Sequence, residues 1–100
     1  MVEILRSATF DRWLSKLKDG RAVARILVRI DRLALGNPGD ARSVGGGVSE
    51  VKIDYGPGYR VYFTQRGDML VLLLCGGDKS TQSNDINTAH RIAVEWRNDG

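Results

Sequence analysis

Residues 48–82 read VSEVKIDYGPGYRVYFTQRGDMLVLLLCGGDKSTQ, two tight turns that join three strand-like segments. Apolar and polar side chains alternate from residue 50 to residue 54 and again from 59 to 64, which is the pattern of half-buried strands. Residues 69–75 are continuously apolar, as expected for a strand covered on both faces. Turns at residues 56–58 and 66–67 separate the three segments. The stretch therefore predicts three antiparallel strands with a buried centre.

Parity predicts which side chains share a face of this sheet. A three-residue loop at 56–58 keeps both apolar rows on one side in a register with four pairs: Ile53 with Val61, Val51 with Phe63, Lys52 with Tyr62, and Asp54 with Arg60. In this register Lys52, Arg60 and Tyr62 project from one face. Lys79 is expected near the end of the same sheet.

The chain before residue 48 predicts a short strand and a helical hairpin. Residues 2–5 are a strand candidate, and a first helix is indicated by apolar residues at helical spacing: Phe10, Trp13, Leu14 and Leu17. Ser7 or Thr9 can cap this helix, and Asp19 with Gly20 is expected to end it. A second helix, ending near residues 36–39, is expected to turn five residues toward a core: Val23, Ile26, Leu27, Ile30 and Leu33. Residues 37–47 are glycine-rich and predict a loop that is mobile or wraps a partner.

The second helix also carries a stripe of four arginines. They fall at helical spacing on another face of the helix: Arg21, Arg25, Arg29 and Arg32. Long cationic side chains are good helix formers, so one interpretation is a solvated face. The other is a contact surface for RNA or the ribosome.

The segment after the third strand opens a C-terminal helix. Asp78 or Ser80 is a ready N-cap, and the helix shows a packing stripe: Ile86, Ala89, Ala93 and Trp96. The preceding glycines resemble a phosphate loop, but Walker A requires glycine immediately before the lysine, and Asp78 stands before Lys79. A nucleoside triphosphatase is therefore excluded. Two alternatives stay open, namely phosphate binding by free backbone N–H groups with Lys79, and a plain strand-to-helix connection.

Composition indicates one domain over residues 1–100. The chain is 42% hydrophobic, its net charge is +3 and its pI is about 9.4, which suits an anionic partner without requiring one. Cys75 is the single cysteine, so the monomer can form neither a disulfide nor a thiolate metal cluster. The chain has no visible targeting segment and no apolar run of membrane-spanning length, and we expect a cytoplasmic protein.

Five sequence blocks together resemble the RelE/ParE toxin superfamily, most closely its HigB-like branch, the addiction module killer proteins. These blocks are FxxWL at 10–14, ARIxxRI at 24–30, GNPGD at 36–40, YGPGYRVYF at 55–63 and GGDKSxQxxDI at 76–86. The resemblance covers nearly the whole chain. It implies an α+β, RelE-like fold, in which an N-terminal strand and a helical hairpin pack on a curved antiparallel sheet that is followed by a C-terminal helix.

The resemblance also implies a function. Toxins like RelE cleave messenger RNA on the ribosome without metal or other cofactor, the ribose 2′-hydroxyl attacking the adjacent phosphate. Such chemistry needs proton transfer and positive charge for the transition state. Arg60 matches the arginine of the family's central strand, and Lys52 is the candidate for the lysine near the hydroxyl, with Lys79 in support. Tyr62 can orient or stack a base, or it is a sheet tyrosine with a hydrated hydroxyl.

Three further residues are candidates of second rank. His90 is the only histidine and the usual choice for proton transfer, but it lies off the packing stripe and is otherwise a surface residue. Gln82 and Asp85 match the family's last block; Gln82 can brace the loop, and Asp85 can cap the helix or pair with Lys79.

The expected partners are the ribosome with its mRNA, and an antitoxin, commonly a small helix-turn-helix protein. The basic face is the expected docking area for an acidic or amphipathic segment of that antitoxin. Two alternatives belong to other classes of function. One is a ParE-like toxin that inhibits DNA gyrase by protein contact, and the other is a non-catalytic RNA-binding regulator.

Overall fold

The protein folds as a five-stranded sheet with helices on both faces. The structure is a computed structural model that describes the backbone of residues 2–99 and the side chains of residues 2–96. Its elements, in chain order, are β1 (Glu3–Arg6), α1 (Ala8–Lys16), α2 (Gly20–Ala34), β2 (Ala41–Ser43), β3 (Val48–Ile53), β4 (Tyr59–Arg66), β5 (Leu70–Gly77), a 3₁₀ turn (Lys79–Thr81) and α3 (Gln82–Asp99). No helix in the part of the chain described combines the length and apolar character needed to span a bilayer.

The strand order in the sheet is β1-β5-β4-β3-β2. The neighbours from β2 to β5 are antiparallel, whereas β1 pairs with β5 in parallel. The predicted α+β fold is therefore confirmed, with one parallel pair that the prediction of an antiparallel sheet did not include. Strand β5 lies inside the sheet and is buried along almost its whole length, as its continuous apolar run predicts.

The sheet separates two apolar cores. The α1 and α2 side contains residues of both helices and three strands: Phe10, Ile26, Ile30, Leu33, Val51, Ile53, Val61, Phe63, Val71 and Leu73. The α3 side contains the predicted helix stripe and the opposite strand residues: Val48, Tyr62, Leu72, Leu74, Cys75, Ala89 and Ala93, with Ile86 and Trp96 packed against them. An irregularity in the β4–β5 register at Tyr62 and Phe63 lets Leu74 and Cys75 both lie on the α3 side.

Two side-chain caps define the helical hairpin. The Ser7 hydroxyl accepts a hydrogen bond from the Phe10 N–H at 3.0 Å and begins α1. Helix α1 ends earlier than predicted, because Leu17 is already extended. Asp19 does not end that helix but caps α2, accepting from the backbone N–H groups of Arg21 and Ala22. The expectation that Leu27 faces the core is also wrong, since 37% of it is exposed.

The region predicted as a loop, residues 37–47, contains the edge strand β2. Arg42 of this strand pairs with Glu50 of β3, and a tight turn follows in which Gly45, Gly46 and Gly47 all have positive φ. The glycine content that suggested a mobile loop therefore serves a β-hairpin turn.

The β3–β4 register is shifted by two residues from the prediction. Val51 pairs with Val61, Lys52 with Arg60 and Ile53 with Tyr59, so the loop spans residues 54–58. Tertiary contacts account for the longer loop: the Tyr55 hydroxyl donates to Asp19 at 3.0 Å, and Arg25 lies 4.7 Å from the Tyr55 ring.

A shift of two residues leaves each side chain on its predicted face of the sheet. The predicted sharing of one face by Lys52, Arg60 and Tyr62 therefore holds. The predicted pairs of Asp54 with Arg60 and Lys52 with Tyr62 are wrong.

Candidate functional site

A polar pocket of about 380 Å³ lies at the end of β3 and β4, on the α3 side of the sheet. We call it the basic pocket and define it by six residues: Asp40, Arg42, Glu50, Lys52, Arg60 and Gln82. Asp40, Arg42 and Lys52 are exposed and form its rim, whereas Glu50 and Arg60 are buried at its floor. Three cations and two carboxylates give the pocket a formal charge of +1.

Glu50 is the centre of this pocket, and the sequence did not single it out. It is only 3% exposed, yet it is charged. Its Oε1 accepts from Arg42 Nε at 2.9 Å, and its Oε2 accepts from Gln82 Nε2 at 2.9 Å. Burial raises the pKa of Glu50, but hydrogen bonds from Arg42 and Gln82 outweigh it, so the pKa lies below the ordinary range. The sequence predicted that Gln82 braces the loop before α3, whereas its side chain binds Glu50 on β3.

Arg60 lies directly opposite Lys52 and is held at two points. Its NH1 donates to the Gly58 carbonyl at 2.8 Å, and its Nε lies 3.6 Å from Glu50 Oε2, an ion pair rather than a hydrogen bond. Its Nε is buried without a hydrogen-bond partner among the described residues. The guanidinium is therefore fixed in place but retains unused donor capacity beside the pocket.

Tyr62 is completely buried beneath the pocket, on the α3 side of the sheet. Its hydroxyl lies next to Glu50 but has no well-aligned hydrogen-bond partner in the described part of the chain. Burial and the adjacent carboxylate raise the pKa of Tyr62, so the phenol stays protonated. In this conformation the ring is not open for stacking on a base, and the hydroxyl is buried and does not reach the surface of the sheet.

The glycines before α3 pack closely instead of forming an open phosphate loop. Gly76 and Gly77 are buried in β5, opposite Val61 and Arg60. The 3₁₀ turn that leads into α3 is capped by Asp78, which accepts from the Ser80 N–H at 2.8 Å. Asp78 is thus a cap, as predicted, but of the 3₁₀ turn before α3 and not of α3 itself, and the idea of free glycine N–H groups in an open loop is wrong.

Lys79 and Asp85 have different surroundings. Lys79 is exposed. The Cβ of Lys79 lies 3.9 Å from the position that a Cβ on Gly58 would occupy. Lys79 therefore lies beside the turn whose Gly58 carbonyl binds Arg60. Asp85 accepts a hydrogen bond from the Thr81 hydroxyl at 2.5 Å. No ion pair joins Asp85 to Lys79 among the described side chains, so that predicted pairing is wrong.

His90 is partly buried and is not a plain surface residue. Its Nε2 lies 3.1 Å from the Val44 and Gly45 carbonyls, and because both are acceptors, Nε2 must carry the hydrogen. His90 thus secures the β2–β3 turn. Among the side chains that the structure describes, no hydrogen bond joins His90 to Lys52 or Arg60.

The arginine stripe lines a second cavity of about 610 Å³, on the other face of the sheet. We call this the α2 groove; it is formed by Arg21, Ala24, Arg25, Val28, Arg29, Arg32, Ile53 and Asp54. Arg29 is partly buried and donates to the Lys52 and Pro38 carbonyls at 2.9 Å and 3.3 Å. The other three arginines are exposed, and Val28 between them is 48% exposed. The groove thus combines positive charge with an apolar floor.

Comparison with known proteins places the chain in a family. A family model described as phage derived protein Gp49-like matches residues 12–94, which include both cavities. An uncharacterized protein of Haemophilus influenzae is 54% identical over 94 residues, an alignment that covers 94% of this chain and 95% of that protein. The chain therefore belongs to the Gp49-like family of phage-derived proteins, a family of the RelE/HigB-like toxin type.

Proposed function

We propose that the protein is the HigB-like toxin of a type II toxin–antitoxin pair, and that it cleaves mRNA on the ribosome without a metal. The observation that carries this proposal is the basic pocket, in which Lys52 and Arg60 lie opposite each other on neighbouring strands at a solvent-accessible end of the sheet. Two cations on one strand pair, of which Arg60 is held in place, suit a phosphodiester that gains negative charge during the reaction.

In the proposed reaction the ribose 2′-oxygen forms a bond to phosphorus while the bond to the 5′-oxygen breaks, leaving a cyclic phosphate. The hydroxyl proton passes to solvent water, and the departing 5′-oxygen takes up a proton from solvent water. Arg60 binds the phosphate with the planar fork that suits this group. Lys52, exposed at the rim, stabilises charge near the hydroxyl. Lys79 adds a cation beyond the Gly58 turn. Glu50 is a poor base here, because its pKa is lowered and both oxygens are engaged.

The test is induction in a bacterial host with mapping of transcript ends on translating ribosomes. Lys52→Ala is the informative variant, because the side chain is exposed and its removal leaves the buried floor intact. We expect wild type to produce new transcript ends, and Lys52→Ala to lower the number of these ends by about tenfold or more. Lys18→Ala, which removes an exposed lysine before α2, is the matched control and should cut like wild type. Absence of new ends with the wild-type protein would contradict the proposal.

The α2 groove favours a second candidate, a ParE-like toxin that inhibits DNA gyrase. Exposed Val28 between arginines suits contact with a protein surface better than contact with RNA alone. Induction would then yield DNA breaks instead of transcript ends, so both products are measured in the same culture. RNA binding with neither product would identify a non-catalytic regulator.

A toxin-like family implies an antitoxin partner. We propose that an acidic, amphipathic segment of this antitoxin, a helix-turn-helix protein, docks in the α2 groove. Its carboxylates would pair with Arg21, Arg25 and Arg32, and its apolar side chains would cover Val28. A ribosomal target places the toxin in the cytoplasm.

A further inference from the structure

One carboxylate in the basic pocket holds two guanidinium groups. Arg42 Nε lies 2.9 Å from Glu50 Oε1, and Arg60 Nε lies 3.6 Å from Glu50 Oε2. Both arginines therefore approach Glu50 through Nε. Among the described residues, the terminal nitrogens of Arg42 make no hydrogen bond, and those of Arg60 make one, to Gly58. Donor groups of two arginines are thus left unused beside one pocket.

We propose that Arg42 is a phosphate-binding residue, and that Glu50 is the positioning residue that holds Arg42 and Arg60 together for one phosphodiester of single-stranded RNA. This inference rests on the proposed function and extends it to an arginine from the edge strand β2. The side chain of Arg42 is 66% exposed, so it can bind a ligand at the rim of the pocket, whereas Arg60 is buried at the floor. Arginine suits the task because its fork binds phosphate through two donors.

Gln82 completes the arrangement by donating to Glu50 Oε2 at 2.9 Å. This bond fixes the carboxylate from the first turn of α3 and hence fixes both arginines relative to β3. Positioning and simple electrostatics predict opposite effects for Glu50→Gln. Removing a negative charge beside a phosphate should tighten binding if charge alone matters. If Glu50 positions the arginines, the same change should weaken binding.

The experiment measures binding of a short, fully 2′-O-methylated RNA strand, which cannot be cleaved through its 2′-oxygen, over a series of salt concentrations. We expect Arg42→Gln to weaken binding about tenfold and to lower the salt slope by about 0.7, the value for one phosphate contact on a single strand. Arg42→Lys should retain most of the slope but lose affinity, because it keeps the charge without the fork. Arg12→Gln, an equal charge loss on α1, is the control and should stay within about twofold of wild type.

Glu50→Gln should bind more weakly than wild type although it is one unit more positive; circular dichroism verifies that it is folded. Tighter binding by this variant would overturn the positioning role. Equal binding by Arg42→Gln and Arg12→Gln would overturn the phosphate role, and this comparison does not depend on the folding of the Glu50 variant because both side chains are exposed. If wild type cleaves transcripts and Arg42→Gln binds RNA as well as wild type, the role of Arg42 is contradicted and the proposed reaction is not. If RNA binding depends on Arg42 and wild type does not cleave transcripts, the proposed reaction is contradicted and the role of Arg42 is not.

Discussion

Two carboxylates near the basic pocket have pKa values shifted in opposite directions, and each shift makes stability depend on pH. Glu50 is stabilised as an anion, with a pKa below the ordinary 4.5, because hydrogen bonds from Arg42 and Gln82 outweigh its burial. Asp85 is destabilised as an anion, with a pKa above the ordinary 3.8, because burial and nearby Asp78 outweigh its hydrogen bond from Thr81.

Glu50→Gln should destabilise the protein at pH 7 by about 3 kcal/mol, because it leaves the buried Arg60 without its countercharge. A lowered folded-state pKa means that the charged Glu50 contributes its stability above pH 4.5 and loses it as the pH falls through the folded value. Urea unfolding from pH 7 to pH 3 should therefore show a difference in free energy of unfolding between wild type and variant that becomes smaller in acid. A difference that stays constant over this range would contradict an origin in the titration of Glu50.

Asp85→Asn should have the opposite effect on stability and should raise the free energy of unfolding at pH 7. A raised folded-state pKa means that Asp85 contributes stability when protonated, below pH 3.8, and loses it as the pH rises through the folded value. The amide is permanently neutral and can still accept from Thr81, so its advantage should vanish in acid. The same urea titrations measure it, and a destabilised Asp85→Asn variant at pH 7 would show that the anion is required.

At the scale of residues, parity alone predicted the shared face of Lys52 and Arg60, because a two-residue error in register leaves every side chain on its own face. Glu50 was not predictable in the same way. In the alternating pattern it appears as one more solvent-facing polar residue, whereas in the fold it is buried and bonded to Arg42, in a segment predicted as loop, and to Gln82 of α3. The anchoring of His90 to the β2–β3 turn was missed for the same reason.

At the scale of elements, the contact between α1 and β5 depends on the absence of a side chain at Gly76. A Cβ at this position would lie 2.3 Å from the Trp13 ring, which in turn packs on Phe10 and Tyr59. The helix can therefore approach the strand closely only because residue 76 is glycine. The sequence predicted both elements but interpreted this glycine as part of a loop, since a close approach between distant segments leaves no local signal.

Gly76→Ala should destabilise the fold by about 2 to 3 kcal/mol, because the methyl group has to displace the Trp13 ring. In a Trp13→Leu background the same change should cost less than about 1 kcal/mol, and this non-additivity in urea unfolding identifies the contact. Gly20→Ala is the matched control: nothing lies within 4 Å of that site, and alanine at the start of α2 should stabilise by up to about 1 kcal/mol. Additive costs in the double variant would place the strain elsewhere.

At the scale of the whole molecule, β3 separates two basic surfaces that lie on opposite faces of the sheet. Glu50 and Lys52 line the basic pocket on one face, while Ile53 and Asp54 line the α2 groove on the other. The two surfaces meet at Lys52, whose side chain lies at the pocket rim and whose carbonyl accepts from Arg29. An antitoxin seated in the groove would therefore leave the pocket uncovered and act by blocking the approach to the ribosome.

This arrangement predicts that the two surfaces can be inactivated separately. Arg21→Gln with Arg32→Gln removes two exposed charges of the α2 groove but spares Arg29, whose bonds to Lys52 and Pro38 hold the fold. The double variant should co-sediment with 70S ribosomes about tenfold less at physiological salt, yet bind the 2′-O-methyl RNA strand like wild type, because the groove lies on the far face of the sheet.

Arg42→Gln should show the reverse pattern, with ribosome co-sedimentation retained and binding of the isolated strand weakened. An Arg12→Gln, Lys18→Gln variant removes the same number of exposed charges as the groove variant and serves as its control. If the groove and pocket variants lose ribosome and RNA binding in parallel, both surfaces serve one continuous RNA path and the division of roles across β3 is wrong. If instead each variant loses only one of the two binding activities, a pocket variant that still binds antitoxin and ribosome would be inactive in cleavage. Such a variant would compete with the wild-type toxin for both partners.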